Sequence, residues 1–438
     1  MLERLFRLEE RGTTARVEVL GGVTTFVSMA YIAVVNPAIL KHAGIPSGPS
    51  TVATILAAAF GSLLMGLFAN RPIAVAPYMG ENAFIAFGLA SLGIGWQMRL
   101  GAVFVSGAVF LAITLLGVRG WLANSISSSL KHAFAVGIGL FLAFVGLGEA
   151  GLVAPGGEVP VKLGDLHDPR ALLAAAGFAL LAILLVRRIR GAIFLSIAAT
   201  ALAGLVLGLG EKPSAITALP FTGEYSLAPI AFQLDIGGIL RAEHLPVLLT
   251  LFLMSFLDTL GTLAGLGAAG GLLDEQGNFP DIRRPMLVDA VACMASALLG
   301  TSTSGAYIES AAGIRDGART GLAAVVTASL FGLSLFFVPL LEPLQHLGYA
   351  YGPALVAVGI LMTSSVRRIE LEDMTELIPA FIAITLMVFT YNIGNGLTAG
   401  LLLHPVLKLA AGRWREVRGG GLVLAALSAV YYAYGLPH

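Results

Sequence analysis

The sequence predicts an all-α polytopic membrane protein of about 14 transmembrane segments in two inverted repeats of seven, and three observations predict it. Of 438 residues 57% are hydrophobic and 12% charged, against roughly a quarter charged in soluble domains, and the mean hydropathy is +0.87. Apolar runs long enough to span a bilayer recur from one end of the chain to the other. The longest polar interruption, residues 210–244, lies near the middle. An odd number of spans on each side of it places the second set upside down relative to the first, the plan of many secondary transporters.

In order, the runs fall at 17–40, 50–69, 73–90, 98–117, 130–149, 170–186 and 191–209, then at 245–270, 286–299, 301–314, 320–341, 352–366, 375–391, 393–411 and 420–436. The first follows an N-terminus that carries Glu3, Glu9 and Glu10 among its arginines, and it leads straight into a full span, so it reads as an anchor and not a cleaved leader. The last reads equally as a crossing, a re-entrant piece or an interfacial helix. The expected division is 1–209 as the first repeat, 210–244 as linker and 245–438 as the second repeat.

The third element of each half is unusual: AVAPYMGENAFIAFGLASLG at 74–93 and TSTSGAYIESAAGIRDG at 301–317. Pro77, Gly80, Ser302, Ser304 and Gly305 disfavour an unbroken helix there, so each reads as a short extended stretch followed by a half-helix. Extended backbone at membrane depth survives only when buried in protein or lining a cavity. If the two stretches meet near the midplane, both half-helices begin at one spot and aim their unpaired N–H groups at it.

Formal charge is zero, which argues against a nucleic-acid partner. With residue 1 on the cytoplasmic side and alternating spans, only Lys41, Arg99, Lys162, Arg170, Lys212 and Arg241 of the 26 Lys and Arg fall outside, as the positive-inside rule expects of a multi-pass inner-membrane protein with a cytoplasmic N-terminus. The single cysteine, Cys293, lies in an apolar run and reads as packing. The seven histidines show no metal-ligand spacing, and neither a Ser-His-Asp nor an HExxH pattern marks an enzyme. Two GxGxxG strings, 146–151 and 265–270, follow no strand and carry no dinucleotide reading. No P-loop string is present, so no cofactor is expected and any transport is driven by an ion gradient.

Two acids carry the functional signal. Asp258 sits mid-span in LLTLFLMSFLDTLGTLAGLGAAGG, followed by Thr259, Gly261, Thr262 and Gly265, so one helix face is polar or small. Glu309 opens the half-helix of GTSTSGAYIESAAGI. An ionisable group at bilayer depth is costly and marks a substrate or proton site by default. A carboxylate accepts an N–H from a planar heterocycle, and recognition by hydrogen bonds rejects wrong ligands more sharply than apolar fit. Glu81 and Asn82 occupy the matching place in the first half; Glu81 faces the cavity or pairs with a cation such as Arg71, and the Asn82 amide suits a heterocycle edge. Asp289, one turn after Pro285 and near Arg283 and Arg284, reads as a structural ion pair at the cytoplasmic end.

At these same residues the chain resembles a known family. RGTTARVEVLGGVTTFVSMAYIAVVNPAIL at 11–40, APYMGENAF at 76–84, FLDTLGTLAGLG at 256–267 and GTSTSGAYIESAAGIRDGARTGLAAVVT at 300–327 are similar to the AzgA-like purine permeases of the nucleobase-cation symporter family. The resemblance implies a core domain, here 17–117 plus 245–341, that carries substrate past a gate domain, here 130–209 plus 352–438. It also implies elevator-like import of adenine, guanine or hypoxanthine by proton symport. Asp258 matches the family acid of span eight, Glu309 that of span ten, and Gly80 and Asn82 the Gly-x-Asn of span three. Glu81 departs from the apolar residue usual between them. Ser310 after Glu309 matches the AzgA-like branch, since the xanthine and uracil branch carries Asn there. The expected substrate-binding set is therefore Asp258, Glu309, Asn82, Gly80, Glu81 and Ser310, with Glu309, Asp258 and Glu81 coupling the proton and no metal. Competing readings are a uracil or xanthine permease of the same superfamily, an anion transporter on the same fold, and a non-transporting receptor. A homodimer is a further expected partner arrangement.

Overall fold

A computed structural model describes residues 2–434 apart from 90–91, 119–120, 122–124, 211, 271–278 and 280. Residues 90–91 of the first unusual element, the last two residues of the 420–436 run and His438 therefore lie outside the described residues. Among the described residues eight helices are long and apolar enough to cross a membrane, the longest of them 15–43, and shorter apolar helices accompany them.

The first segment is split. Helix α1 (Ala15–Met29) and helix α2 (Ile32–Leu40) meet at Ala30 and Tyr31. Helix α3 (Ser47–Leu64) follows, and then strand β1 (Val75–Pro77) leads into the half-helix α4 (Met79–Ala83), prolonged by a wider π turn to Gly88. Helices α5 (Trp96–Leu115), α6 (Ser128–Glu149), α7 (Pro169–Val186) and α8 (Ala192–Val206) complete the first half, with a small hairpin of β2 (Val153–Pro155) and β3 (Val161–Leu163) between α6 and α7. The second half repeats the order. It runs through α9 (Leu245–Gly270), α10 (Arg283–Leu299), strand β4 (Ser304–Ala306) with the half-helix α11 (Ser310–Arg315), then α12 (Gly321–Ser334), α13 (Gly348–Thr363), α14 (Met374–Phe389) and α15 (Ile393–Ala410).

Packing shows that the halves are inverted copies. Helix α12 lies on α1 and α3, and its counterpart α5 lies on α9 and α10; α7 packs on α13 and α8, and its counterpart α14 packs on α6 and α15. The first set, with both strands, is the core, and the helices from α6 to α8 and from α13 to α15 form the gate. The two gate halves meet along α6 and α13. Gly146 and Gly352 lie so close there that a side chain on either meets the other's backbone carbonyl, the small-residue packing that lets membrane helices approach.

One apolar helix exceeds the fourteen segments. Helix α16 (Gly419–Tyr434) packs along α15, and the Tyr431 and Tyr432 hydroxyls donate to Asn395 Oδ1 and its carbonyl, both at 2.6 Å. It therefore runs antiparallel to α15 with its far end beside the start of that helix.

Both half-helices end on an arginine. Arg99 donates to the carbonyls of Ile85, Ala86 and Ile94 at 2.7, 3.0 and 2.7 Å, and Arg319 donates to those of Ile314 and Ala318 at 2.7 and 2.8 Å. A cation at a helix C-terminus satisfies carbonyls that the short helix leaves open and complements its dipole. The sequence reading counted Arg99 as an outward surface charge; it is 7% exposed.

The gate also holds a buried cation. Lys408 of α15 is 2% exposed and contacts Glu376 at 2.9 Å, Glu416 at 3.0 Å and Asp373 at 3.3 Å. Hydrogen bonding from Thr375, then from Arg413 and Lys408, holds the Asp373 carboxyl well below the usual carboxylate range. Lys408→Met strips Glu376, itself buried, of the ammonium 2.9 Å away and leaves it His404 at 3.1 Å. Breaking a buried pair in this way costs about 3–5 kcal/mol, so the detergent-solubilised variant is expected to unfold several degrees below wild type in a thermal scan.

Core and gate touch at the face opposite the N-terminus. His42 after α2 meets Glu149 of α6 at 3.2 Å, and Asn392 donates to the Gly88 carbonyl at 3.2 Å. A cavity of 560 Å³ opens on this face, lined among others by Lys41, His42, Glu149, Arg170, His346 and Tyr351.

Candidate substrate site

The expected meeting of the two extended stretches is present. Strands β1 and β4 pair antiparallel with Val75 opposite Ala306, Ala76 opposite Gly305 and Pro77 opposite Ser304. Flanking bonds extend the pairing, Tyr78 N–H to the Thr303 carbonyl at 2.8 Å and Tyr307 N–H to the Ala74 carbonyl at 2.9 Å. Pro77 removes one donor from the pairing, and Gly305 is required because the Tyr78 ring lies where a side chain would stand. Backbone that the lipid could not satisfy is thereby satisfied inside the protein.

Acids gather around this crossing. Glu81 on α4 is fully buried and its carboxyl faces Asp258 and Ser255 of α9. Among the described residues no close, well-aligned hydrogen bond reaches either Glu81 oxygen, Ser255 Oγ, Asn82 Oδ1 or Tyr307 OH, although Asp258 and Ser255 stand beside Glu81 and Tyr31 beside Tyr307. Glu81 is not paired with Arg71, whose guanidinium lies over the Phe279 ring at 5.0 Å. Tyr307 stands within electrostatic reach of Glu81, Asp258 and Glu309 alike. Among the described residues, no salt bridge binds any of these three carboxyls to a Lys, Arg or His.

Asp258 and Glu309 lie deep in the protein yet keep part of their surface open. Ile308 beside Glu309 is 48% exposed and lies against Gly265 of α9. Along α9, residues 250–256 are all buried, whereas Asp258, Gly261, Thr262, Ala264 and Gly265 retain accessible surface. This accessible strip of α9, from Asp258 toward the C-terminal end of the helix and beside Ile308 and Glu309, is the candidate cleft, and its small-residue floor is the polar or small helix face seen in the sequence.

Three of the expected residues serve the scaffold around this cleft. Asn82 is fully buried and its Nδ2 donates to the Asn36 carbonyl at 3.2 Å. Ser310 Oγ accepts the Ala74 N–H at 3.0 Å and so fastens β1 to α11. Gly80 lies against Ile138 of the gate helix α6. Asn36 adds a network of its own, donating to Thr54 and Thr301 at 2.8 and 2.9 Å and accepting from Ser302 at 3.0 Å.

Asp289 corrects the sequence reading. It forms no ion pair with Arg283 or Arg284; Arg284 pairs with Asp281 at 3.0 Å and Arg283 donates to the Leu115 carbonyl. Asp289 is 1% exposed and its Oδ2 accepts from Thr259 Oγ1 at 2.9 Å, from the Ala306 N–H at 3.0 Å and from Tyr78 OH at 3.4 Å. It ties α9, α10 and both strands together directly behind Asp258. The neighbouring arginines drew it toward a surface role, while its place as the sole acid of the run 286–299 was the signal for a buried one. Tyr31, which the sequence reading passed over, donates to Glu309 Oε1 at 2.6 Å from the break between α1 and α2.

Comparison with known proteins decides the family. The xanthine/uracil permease model, described as a permease family, matches residues 16–397. The chain belongs to the xanthine/uracil permease family. The family member's relatives include the adenine permease AdeP of Escherichia coli (strain K12), 40% identical over 98% of this chain and 95% of the relative. Another is the guanine/hypoxanthine permease PbuO of Bacillus subtilis (strain 168), 38% identical over 97% of this chain and 98% of the relative. The resemblance to the AzgA-like permeases is thus borne out. Among solved structures, the transmembrane domain of the cyanobacterium bicarbonate transporter BicA superposes with a TM-score of 0.62 at 18% identity, over 88% of this chain and 97% of that one. Murine Slc26a9, an anion transporter in the inward-facing state, gives 0.63 at 11% over 90% of this chain and 68% of that one. At such identities the likeness is one of fold, the inverted-repeat core and gate described above. This permease is a multi-pass membrane transporter.

Proposed function

We propose that this permease imports purine nucleobases, among them hypoxanthine, guanine and adenine, by proton symport across the inner membrane with its N-terminus in the cytoplasm. The observation that carries the reading is the cluster of Glu81, Asp258 and Glu309 around the strand crossing, with buried polar atoms awaiting partners and, among the described residues, no basic residue bound to any carboxyl. Native proteins leave few buried polar groups unsatisfied, so a cluster of them beside an open cleft calls for a ligand that brings hydrogen bonds. A purine does so from several edges of one flat ring. An inorganic anion does not, because it would meet negative groups where it needs positive ones.

In this reading Asp258 and Glu309 accept purine N–H groups, Glu309, Asp258 and Glu81 couple the proton, and Asn82, Gly80 and Ser310 complete the walls of the binding site. The core, 17–117 plus 245–341, slides past the gate, 130–209 plus 352–438, in an elevator-like cycle. The relatives' names, adenine permease and guanine/hypoxanthine permease, support the substrate class. One proton crossing 100 mV supplies roughly 2.3 kcal/mol, about a fiftyfold gradient, enough for scavenging.

The test is uptake of labelled hypoxanthine, adenine and guanine into proteoliposomes under an imposed proton gradient, with xanthine and uracil as competitors. Accumulation that a protonophore collapses is expected. Flux of bicarbonate or sulfate without purine flux, or purine binding without flux, rejects the proposal.

A further inference from the structure

We infer that Tyr31 is a positioning residue for Glu309, fixing which of its oxygens faces the cleft and the pH range over which it accepts a ligand N–H. The inference rests on the purine-site reading above and adds to it a residue outside the half-helices and α9. Tyr31 is 1% exposed and sits at the two-residue break where α1 ends and α2 begins. The break turns its side chain toward α11, and its hydroxyl donates to Glu309 Oε1 at 2.6 Å.

A phenol has a single proton to give. Tyr31 gives it to Glu309, so it has none left for a ligand and acts through the carboxylate. Its donation occupies Oε1 and leaves Oε2 for the cleft. The groups facing Glu309 are Tyr31 and Tyr307, and Tyr307 in turn faces Tyr31, Glu81 and Asp258. The 2.6 Å bond commits Tyr31 to the carboxylate, while the Tyr307 hydroxyl stands beside that of Tyr31 and makes no close hydrogen bond of its own. Held by Tyr31, Glu309 acts as an acceptor of N–H. Once protonated it becomes a donor suited to a ring nitrogen, a different purine edge. The hydrogen bond thus sets the pH at which one recognition mode gives way to the other, because a donor to the charged form favours that form.

The experiment is calorimetric titration of hypoxanthine into purified wild-type, Tyr31→Phe, Glu309→Gln and Tyr31→Phe/Glu309→Gln protein between pH 5 and 9. Tyr31→Phe is expected to weaken binding about tenfold at neutral pH and to move the pH midpoint of binding by about one unit toward alkaline pH. In the Glu309→Gln background it has no further effect, since an amide carries no charge for the phenol to hold. Incorporation of 3-fluorotyrosine at position 31 keeps the shape, makes a stronger donor and moves the midpoint the other way, which reads the inference even where Tyr31→Phe disturbs folding. Wild-type binding with an unmoved midpoint in both the Phe and fluorotyrosine proteins overturns the inference alone. A folded wild-type protein that binds no purine overturns the functional reading itself.

Discussion

Asp258→Ala and Glu309→Ala each bring purine uptake in proteoliposomes to the level of empty vesicles, while the purified variants unfold at or above the wild-type temperature. The two halves of this expectation have one cause. A carboxylate removed from water without a cation is destabilising, and among the described residues neither acid has one; deleting it removes that cost, offset in part at Glu309 by the Tyr31 hydroxyl left without its acceptor. The same deletion removes the acceptor on which a purine N–H docks, and a hydrogen bond to a charged group is worth about 1.5–3 kcal/mol, a factor of roughly 10–150 in affinity. Loss of the proton-carrying group then stops accumulation of whatever still binds. Stability traded for function in this sense is a mark of a site. Thermal scans by intrinsic fluorescence together with labelled-purine uptake decide the matter: an inactive variant that is also strongly destabilised assigns its acid to the scaffold, and an active one removes it from the site.

Asp289→Ala is expected to give the opposite pairing, uptake lost together with a large fall in unfolding temperature. Asp289 Oδ2 receives three donors, from Thr259, Tyr78 and the Ala306 N–H. The Tyr78 and Thr259 hydroxyls lie 3.0 Å apart and can still bond one another, so alanine leaves the Ala306 N–H and one of the two hydroxyl protons buried and unanswered, at about 1–3 kcal/mol each. It also frees β4 from α10 and α9 from the crossing, so Asp258 and Glu309 lose their common reference. Asp289→Asn keeps the shape and one acceptor oxygen, and its unfolding temperature is expected between the two. An Asp289→Ala protein as stable as wild type would show that the strands hold without this carboxyl.

The contrast between these acids shows what could be read in advance. Asp258 and Glu309 were legible because each stands alone in an apolar stretch, where the surroundings already state the cost of burial. The extended stretches were legible because Pro77, Ser304 and Gly305 speak against helix at a depth where helix is the default. Asp289 was misread because its neighbours Arg283 and Arg284 supply an obvious partner in one dimension that the fold directs elsewhere. Tyr31 was missed because an isolated tyrosine in an apolar helix carries no local signal, and its partner lies 278 residues away.

The sequence by itself determined that this chain lives in a membrane, that it folds as two opposed halves, and which two acids stand at bilayer depth, since hydropathy, span parity and the rarity of intramembrane charge are local properties. Only the tertiary structure decided which of the acids face one another, that Arg99 and Arg319 close the half-helices, that Asp289 binds Thr259 and the Ala306 N–H, and that Tyr31 reaches Glu309. The physical reason is that hydrogen bonds and charge pairs are short-ranged, so their partners are fixed by where two halves of an inverted fold cross and not by spacing along the chain.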